Sequence, residues 1–373
     1  MTAKPKLRIG LIGTGFMGKA HVFGFASAPK VFDLPMEIEL ATVADITEEA
    51  AAAAAAAFGF ARGTADWRSL VADPEIDVID ITAPNALHKE MALAAIAAGK
   101  HVYCEKPLAP LASDAREMAE AAEAAGVTTQ VGFNYLCNPM LGLAKEMIEA
   151  GELGEIRGYR GLHAEDYMAD PAAPWSFRHD PAGGGALADI GSHALATAEY
   201  LMGPVTEVMG DCVTMIPERP DGRGGTRPVE VDDIGRAFLR FANGAQGSVE
   251  GNWIATGRKM QHDFEIYGTR GALAFSQERF SELHFYSALD APGRRGFRRI
   301  EAGPDHAPYG RFCVAPGHQL GFNDLKAIEV AGYVGAIASG GAEPFGFRKG
   351  LRIQTLVETI QESSRARAWR TVA

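Results

Sequence analysis

The chain has 373 residues, which indicates two or three domains, and its 47% hydrophobic and 22% charged residues are typical of a globular protein with a sizeable core. The formal net charge of −11 excludes a general nucleic-acid binder, because such a protein needs a basic face to neutralise phosphates. No segment has the pattern of a signal peptide, and charges interrupt each apolar stretch before it reaches membrane-spanning length, so we expect a cytoplasmic protein that binds neither nucleic acid nor membrane.

The first third of the chain alternates short β-branched segments with alanine-rich segments. Strands are predicted at residues 7–12, 39–44, 78–81, 101–104 and 129–131. Helices are predicted at residues 48–58, 85–98 and 113–125, the last with Ser113 as its N-cap. This alternation indicates a doubly wound parallel sheet with right-handed crossovers, and we assign residues 1–131 to this domain.

The glycine-rich segment GTGFMG, residues 13–18, directly follows the first predicted strand and opens a helix. In a dinucleotide site, Gly13 allows the tight turn, Gly15 lets the backbone approach the pyrophosphate, and Gly18 lets the helix pack closely on the strand. The free N–H groups of the helix N-terminus then face the phosphates. We therefore expect a dinucleotide site that also includes Phe16 and Met17.

Asp45 follows the second predicted strand, where a carboxylate can bind both ribose hydroxyls. The spacing from the glycines is longer than usual, and we interpret residues 27–37 as a loop insertion that accounts for it. A carboxylate repels a 2′-phosphate, and the next residues, Ile46 and Thr47, supply no cation to receive one. The sequence therefore favours NAD over NADP.

From about residue 155 the pattern changes to strands that follow one another with few helices. These strands are predicted at residues 156–163, 205–214, 235–241, 246–253, 261–267 and 271–276. Residues 217–228 are predicted to form an exposed loop, and residues 349–364 a final helix. We expect residues 132–373 to form a second α/β domain built on a large, open, mostly antiparallel sheet.

Five motifs occur in one order along the first half of the chain: GTGFMG at 13–18, TAPNALH at 82–88, EKP at 105–107, VGFN at 131–134 and GGGALADIGSH at 183–193. On these motifs the chain resembles the Gfo/Idh/MocA oxidoreductase family, which includes glucose–fructose oxidoreductase and inositol dehydrogenases. The resemblance implies a Rossmann domain that binds NAD and a C-terminal domain that binds substrate. It also implies that the open sheet pairs subunits into a homodimer or homotetramer.

The resemblance assigns the catalytic roles. Lys106 would bind the reacting hydroxyl and help to move its proton, while Glu105 orients or pairs with its ammonium group. Asp189 and His193 lie four residues apart on a predicted helix, so their side chains project from the same face. His193 would be the general acid or base, which suits a side chain whose pKa is near neutrality, and Asp189 would bind substrate or orient the ring.

Further residues are predicted to contact the cofactor or the substrate. Pro84 and Asn85 resemble the family's loop beside the nicotinamide, whereas His88 is equally consistent with a cofactor contact and with packing. Tyr135 stands where a common family pattern has arginine, which argues against phosphate or carboxylate recognition there. The predicted substrate-binding residues are Lys106, Asn134, Tyr135, His163, Asp166, Trp175, Asp189 and His193.

The sequence therefore predicts an NAD-dependent dehydrogenase that oxidises a secondary alcohol of a sugar or cyclitol. The four cysteines have no metal-binding spacing, and we expect no metal. Two alternatives remain open: an NAD-dependent glycoside hydrolase of the same fold, and a non-catalytic sensor of NAD or sugar. The presence of Lys106, Asp189 and His193 together argues against the sensor.

Overall fold

The computed structural model describes residues 4–341 and 345–373, and the chain divides into two compact units. The first unit comprises Met1–Cys137 and Gly321–Arg352, and the second comprises Asn138–Leu320 and Ile353–Ala373. Residues 321–352, which our boundary at residue 131 assigns to the second domain, thus lie in the first unit. The division of cofactor and substrate binding at residue 131 stays a prediction.

The first unit is built on a six-stranded parallel sheet, which confirms the predicted doubly wound fold. Its strands are β1 (Lys6–Ile12), β2 (Glu37–Ala44), β3 (Arg62–Thr64), β4 (Val78–Ile81), β5 (His101–Cys104) and β6 (Thr129–Val131). The strand order is β3-β2-β1-β4-β5-β6, and every pairing is parallel. The order reverses between β1 and β4, and ligands of such sheets bind at that reversal, beyond the carboxyl ends of the strands.

Five helices connect these strands. They are α1 (Phe16–Val31), α2 (Glu48–Phe58), α3 (Trp67–Ala72), α4 (His88–Ala97) and α5 (Ala112–Ala125). Thr47 caps the N-terminus of α2, where its hydroxyl accepts a hydrogen bond from the Ala50 N–H at 3.1 Å, and Gly59, with a φ of 82°, caps the C-terminus. Apolar side chains of α1, α2 and the sheet pack into a core cluster that includes Leu11, Val22, Val43 and Phe60.

Two local predictions in this unit are wrong. Residues 27–37 are not wholly a loop insertion, because α1 continues to Val31 and holds Pro29 in its last turn, where the lost N–H costs one hydrogen bond. Ser113 is not an N-cap, because α5 begins one residue earlier and Leu111 occupies the cap position. In α5 the high content of alanine, the strongest helix former, sustains the helix from Ala112 onward.

The second unit contains a nine-stranded sheet, which confirms the predicted open and mostly antiparallel architecture. Its strands and those of a small hairpin are β7 (Ile156–Ala164), β8 (Val205–Val213), β9 (Glu218–Pro220), β10 (Thr226–Pro228), β11 (Ile234–Phe241), β12 (Gln246–Asn252), β13 (Gln261–Gly268), β14 (Gly271–Ser276), β15 (Glu282–Ser287), β16 (Arg298–Glu301) and β17 (Arg370–Thr371). The order in the large sheet is β16-β15-β14-β13-β7-β12-β11-β8-β17, with β7 and β12 its parallel pair.

The predicted exposed loop at residues 217–228 is wrong in part, because its two ends pair as the antiparallel hairpin β9–β10. This segment consists mainly of glycine, proline and arginine, so its sequence does not indicate the two short strands. A side-chain hydrogen bond of 2.9 Å from Thr226 to Glu218 joins the two strands.

The helices of the second unit are α6 (Pro139–Glu149), α7 (Ser192–Met202) and the short α8 (Tyr309–Phe312). Helix α7 packs on β7, β12 and β13 and so covers one face of the sheet. A π-helical turn, Leu187–Gly191, leads directly into α7. The fully buried Trp253 packs with Ala186, Ile190, Val229 and Val231 beside this turn.

Two long helices complete the fold: α9 (Phe322–Ser339) and α10 (Phe347–Ala366). Helix α9 packs on α1 within the first unit at a point where Gly24 of α1 faces Lys326. A Cβ at Gly24 would lie 3.0 Å from the Lys326 carbonyl oxygen, so the glycine permits this close approach. Among the described residues, no helix is both long and apolar enough to cross a membrane.

Candidate functional site

The glycine-rich turn after β1 has the geometry that a dinucleotide requires. Gly13 has a φ of +99°, a conformation that favours glycine. A Cβ at Gly18 would lie 2.3 Å from the Gly13 carbonyl oxygen, so α1 packs against the turn only with glycine there. By contrast, a Cβ at Gly15 would meet nothing within 4 Å, and this open space beside the N-terminus of α1 fits a pyrophosphate.

Asp45 lies beside this turn, immediately after β2. Its carboxylate accepts hydrogen bonds from the Thr14 hydroxyl and, at 2.6 Å, from the Ile46 N–H. The bond to Thr14 holds the carboxylate against the glycine loop, where it fits a ribose. The neighbouring Ile46 side chain is 90% exposed and carries no charge, so nothing at this position offers a counter-ion to a 2′-phosphate. Phe16, at the start of α1, is also exposed, and Met17 is half-buried.

Glu105 and Lys106 follow β5 at the same edge of the sheet. Lys106 is half-buried, and its backbone N–H donates to Glu105 Oε2 at 3.0 Å. The other carboxylate oxygen of Glu105, Oε1, lies 2.8 Å from His21 Nε2 and 2.8 Å from Lys326 Nζ. Burial opposes the ionisation of Glu105, but Lys326 and His21 outweigh it and hold the pKa of this carboxyl well below its usual range.

The loop after β4 places Pro84 and Asn85 at the start of a short 3₁₀ turn that leads into α4. His88 is fully buried there, with Nδ1 3.0 Å from the Pro107 carbonyl oxygen and Nε2 2.9 Å from that of Ala83. Burial lowers the pKa of His88. The imidazole thus links this loop to the EKP turn, and a direct contact with the cofactor stays a prediction.

Asn134 and Tyr135 lie in a 3₁₀ turn after β6. Asn134 is 2% exposed, and its Nδ2 has no hydrogen-bond partner within the parts of the chain that the structure describes. A buried amide in that state is a donor available to a ligand. Tyr135 packs near Phe322, with ring centroids 6.1 Å apart.

In the second unit, Asp189 lies in the π turn, and His193 lies in the first turn of α7. The prediction of one regular α-helix through both residues is therefore wrong. Asp189 Oδ2 accepts hydrogen bonds from the Tyr167 hydroxyl at 2.8 Å and from Arg178 Nε at 3.1 Å. These two donors fix the carboxylate, and π turns of this kind are frequent at functional sites.

Three buried histidines lie together beside this turn. The rings of His163 and His262 stack almost in parallel, 5.0 Å apart and at an angle of 6°. His193 lies 5.6 Å from His163 and 6.3 Å from His262, measured between ring centroids. Glu165 Oε1 is 2.8 Å from His163 Nε2, and Thr197 Oγ1 is 3.2 Å from His262 Nε2. Burial and the neighbouring His163 hold the pKa of His262 well below its usual range, so His262 is neutral near pH 7.

Two other predicted substrate residues have partners within the protein. Asp166 accepts two hydrogen bonds from Lys259 Nζ, at 2.7 and 2.8 Å, and one from the Gly257 N–H at 3.0 Å. The Trp175 indole N–H donates to the Pro228 carbonyl oxygen at 3.1 Å, and the Arg227 guanidinium lies 3.3 Å from the ring centroid. Substrate contacts by either residue stay a prediction.

Sequence reasoning missed several residues that hold the predicted ones in place. Tyr167, Glu165 and His262 contact Asp189 or His163, and Lys326 contacts Glu105. The available signal for Lys326 was a charge within an otherwise apolar helical segment. Tyr167 and Glu165 lie in or next to a loop and carried no comparable pattern.

Comparisons with known proteins give the family. Residues 7–133 match the oxidoreductase family with an NAD-binding Rossmann fold, and residues 142–274 match the GFO/IDH/MocA C-terminal domain. The chain belongs to the Gfo/Idh/MocA oxidoreductase family. The match to both domains confirms the resemblance drawn from the five motifs.

Among curated relatives, levoglucosan dehydrogenase of Pseudarthrobacter phenanthrenivorans is 41% identical over 380 aligned residues, covering 97% of each chain. The myo-inositol 2-dehydrogenase of Thermotoga maritima is 28% identical, over 79% of this chain and 81% of that one. Among solved structures, levoglucosan dehydrogenase in complex with NADH and levoglucosan has a TM-score of 0.95 and 42% identity, covering 99% of both chains.

These family members confirm three predictions: the two-part fold, the NAD cofactor and the class of activity. The chain is an NAD-dependent oxidoreductase of the sugar and cyclitol dehydrogenase type. The roles of individual residues remain predictions.

Proposed function

We propose that this chain oxidises a secondary alcohol of an uncharged sugar ring with NAD, and that a 1,6-anhydropyranose such as levoglucosan is its substrate. The observation that carries the proposal is the similarity to levoglucosan dehydrogenase along nearly the whole chain. The chemistry of the candidate residues agrees with it. The set offers cationic, amide, imidazole and carboxylate groups, so it can both donate to and accept from neighbouring hydroxyls.

The catalytic residues in this proposal are Lys106, Asp189 and His193. When bound, the nicotinamide supplies the acceptor for the hydride of the alcohol carbon. The Lys106 ammonium donates a hydrogen bond to the reacting oxygen, and the His193 imidazole takes the hydroxyl proton. Asp189, itself fixed by Tyr167 and Arg178, orients the substrate or the imidazole ring.

The cofactor site comprises the glycine-rich turn, Asp45 and the loops after β4 and β5. Support comes from the open space at Gly15 and from the carboxylate of Asp45 beside the turn. The proposed cofactor-binding residues are Gly13, Gly15, Phe16, Met17, Gly18, Asp45, Pro84, Asn85, His88, Glu105 and Lys106. Residues 1–131 then serve the cofactor, and residues 132–373 serve the substrate.

The remaining substrate contacts in the proposal come from Asn134, Tyr135, His163, Asp166 and Trp175. Asn134 Nδ2, which is buried and has no hydrogen-bond partner among the described residues, supports this most strongly. We also propose that the enzyme is a cytoplasmic homodimer or homotetramer. None of its four cysteines, all within the described part of the chain, forms a disulfide, which is compatible with a reducing compartment. Phe238, Tyr267 and Trp369 are exposed large apolar residues in or beside the strands of the open sheet.

One experiment separates the dehydrogenase from the two alternatives. Purified protein is mixed with NAD and a panel of levoglucosan, pyranoses, inositols and glycosides, while NADH absorbance and released sugar are both followed. The proposal predicts net NADH formation with levoglucosan. Sugar release without net NADH would identify a glycoside hydrolase, and binding of NAD and sugar with neither product would identify a sensor.

A further inference from the structure

The first unit contains a cluster of charged and polar side chains that the proposed function does not use, apart from Glu105. Its members, named here the buried cluster, are His21, Asp80, Tyr103, Glu105, Lys326 and Glu329. Each is at most 4% exposed. They come from β4, β5 and the turn after it, α1 and α9, so residues more than 200 positions apart in sequence meet at this point.

Lys326 is the hub of the buried cluster. Its ammonium nitrogen lies 2.8 Å from Glu105 Oε1, 3.0 Å from Glu329 Oε2, 3.1 Å from the Tyr103 hydroxyl and 3.0 Å from His21 Nε2. The Tyr103 hydroxyl in turn donates to Glu329. Behind His21, Asp80 Oδ1 lies 2.8 Å from Nδ1 of the ring. One lysine therefore organises the carboxylates of α9 and of the EKP turn.

The charges of the buried cluster depend on one another. Burial opposes the ionisation of Lys326, but the carboxylates of Glu105 and Glu329 outweigh it and raise the pKa of this amine. Lys326 is fully buried, so it meets no solvent that could replace these partners. A buried ion pair is weak evidence for stability, because apolar residues of similar size often serve a fold as well. Stabilisation of the fold alone therefore does not account for the buried cluster.

The link to catalysis is the second oxygen of Glu105. While Oε1 faces Lys326, Oε2 accepts the backbone N–H of Lys106 at 3.0 Å. Gly132 faces this carboxylate so closely that a Cβ there would lie 2.3 Å from Oε1. With one oxygen held by Lys326 and no free space behind it, the orientation of the carboxylate sets the position of the Lys106 backbone.

We propose that Lys326 is a positioning residue, which acts through Glu105 to fix the backbone from which the Lys106 side chain reaches the substrate. The inference rests on the proposed function, because it requires Lys106 to act on the reacting hydroxyl. Lys326 itself touches neither substrate nor cofactor in this account. Its contribution is to turnover rather than to binding, since a small displacement of a catalytic group slows the chemical step.

The test compares a double variant with a matched control. Lys326→Met with Glu329→Gln removes one positive and one negative charge, so the net charge of the buried cluster is unchanged. Glu329→Gln alone alters the same helix and the same cluster but leaves the Lys326–Glu105 contact. Circular dichroism and thermal unfolding establish that both variants fold, and kcat, KM and the Kd of NAD are then measured for each.

The double variant is expected to lose about 10- to 100-fold in kcat, with KM and the Kd of NAD within about threefold of the wild type. Glu329→Gln should keep kcat within about threefold. Equal losses of kcat in both variants would indicate a merely structural cluster and overturn the proposal. An unchanged kcat in the double variant would also overturn it.

A parallel measurement on Lys106→Ala separates this inference from the proposed function. If Lys106→Ala keeps wild-type turnover, the proposed role of Lys106 fails. If Lys106→Ala is impaired but the double variant is not, only the role of Lys326 fails.

Should the double variant not fold, Glu105→Gln keeps the size of the side chain and weakens the same contact. It should lower kcat by a similar factor, and a normal kcat would overturn the inference.

Discussion

The role that we propose for Lys106 depends on its position after a strand and on its neighbours. Its backbone N–H donates to the Glu105 carboxylate, and the residue follows β5 at the carboxyl edge of the sheet, where ligands of doubly wound folds bind. Lys6, by contrast, forms an ordinary surface ion pair with Glu39 at 2.9 Å. The two lysines differ in their position, and the effect of that difference on turnover can be measured.

Replacement of Lys106 by alanine should lower kcat about 10²- to 10⁴-fold, the usual contribution of a positioned acid–base group. The affinity for NAD should change little, because the glycine-rich turn and Asp45 carry most of the proposed cofactor contacts. Steady-state kinetics and NAD titration of the variant test this. Lys6→Ala, at the opposite end of the sheet, is the control and should behave as the wild type. Near-normal turnover of Lys106→Ala on the true substrate would remove the residue from the reaction.

Asp45 is the residue that we expect to select NAD over NADP. Charge-assisted hydrogen bonds that its carboxylate accepts from ribose hydroxyls are worth about 1.5 to 3 kcal/mol each. Asp45→Ser should therefore weaken NAD binding, and the addition of Ile46→Arg should strengthen NADP binding by supplying a cation at an exposed position. Titrations of both variants with both dinucleotides test the prediction. A wild-type protein that prefers NADP would contradict this role of Asp45.

At the scale of elements, the π turn that carries Asp189 is held by a second buried carboxyl group. Asp232 accepts the Leu187 N–H at 2.8 Å through its side chain and the Ala186 N–H at 2.9 Å through its backbone oxygen. Burial raises the pKa of Asp232 to about 7. Because Asp232 is hydrogen-bonded to the start of the π turn, its protonation state affects the stability of the turn that carries Asp189.

The raised pKa predicts the sign of a pH effect on stability. Below about pH 4 the carboxyl is protonated in both the folded and the unfolded chain, but between about pH 4 and pH 7 the folded chain alone retains the proton. The free energy of unfolding should therefore fall in this window, by up to about 1.4 kcal/mol per pH unit, and level off above it. Asp232→Asn has no such titration, so the stability of the wild type relative to this variant should decline across the window.

Urea unfolding of the wild type and of Asp232→Asn at several pH values between 4 and 8 measures this difference. Subtracting one curve from the other removes the titration of all other groups that the two proteins share. A difference that does not change with pH would show that Asp232 is ionised in the folded chain at all these values.

The elements also show what sequence can predict. The strands VIDI, HVYC and TQV are predicted with their observed bounds. Each is a short segment between glycines, helices or turns, so few other secondary structures fit it. The π turn was not predicted, since an i, i+4 spacing of Asp189 and His193 fits a regular helix equally well. The contact of Lys326 with Glu105 was also out of reach, because it joins residues 221 positions apart and depends on the packing of α9 on α1.

For the molecule as a whole, the central claim is that its site recognises the hydroxyls of an uncharged ring. A cationic pocket would favour an acid or a phosphate, whereas the candidate residues here mix charges and neutral polar groups. The Nδ2 group of the buried Asn134, which has no hydrogen-bond partner among the residues that the structure describes, can donate to a hydroxyl of the substrate. Loss of one such hydroxyl leaves a buried polar group without a partner, which costs about 1 to 3 kcal/mol, or roughly 5- to 150-fold in kcat/KM.

The most direct test is the measurement of kcat/KM with NAD for levoglucosan, for its 2-, 3- and 4-deoxy derivatives, and for glucose 6-phosphate. We expect levoglucosan to be the best of these substrates, with a loss of roughly 5- to 150-fold for the removal of any hydroxyl that the protein contacts and does not oxidise. Removal of the oxidised hydroxyl itself should abolish the reaction. Indifference to every deoxy change, or a clear preference for the phosphorylated sugar, would contradict this account of the site.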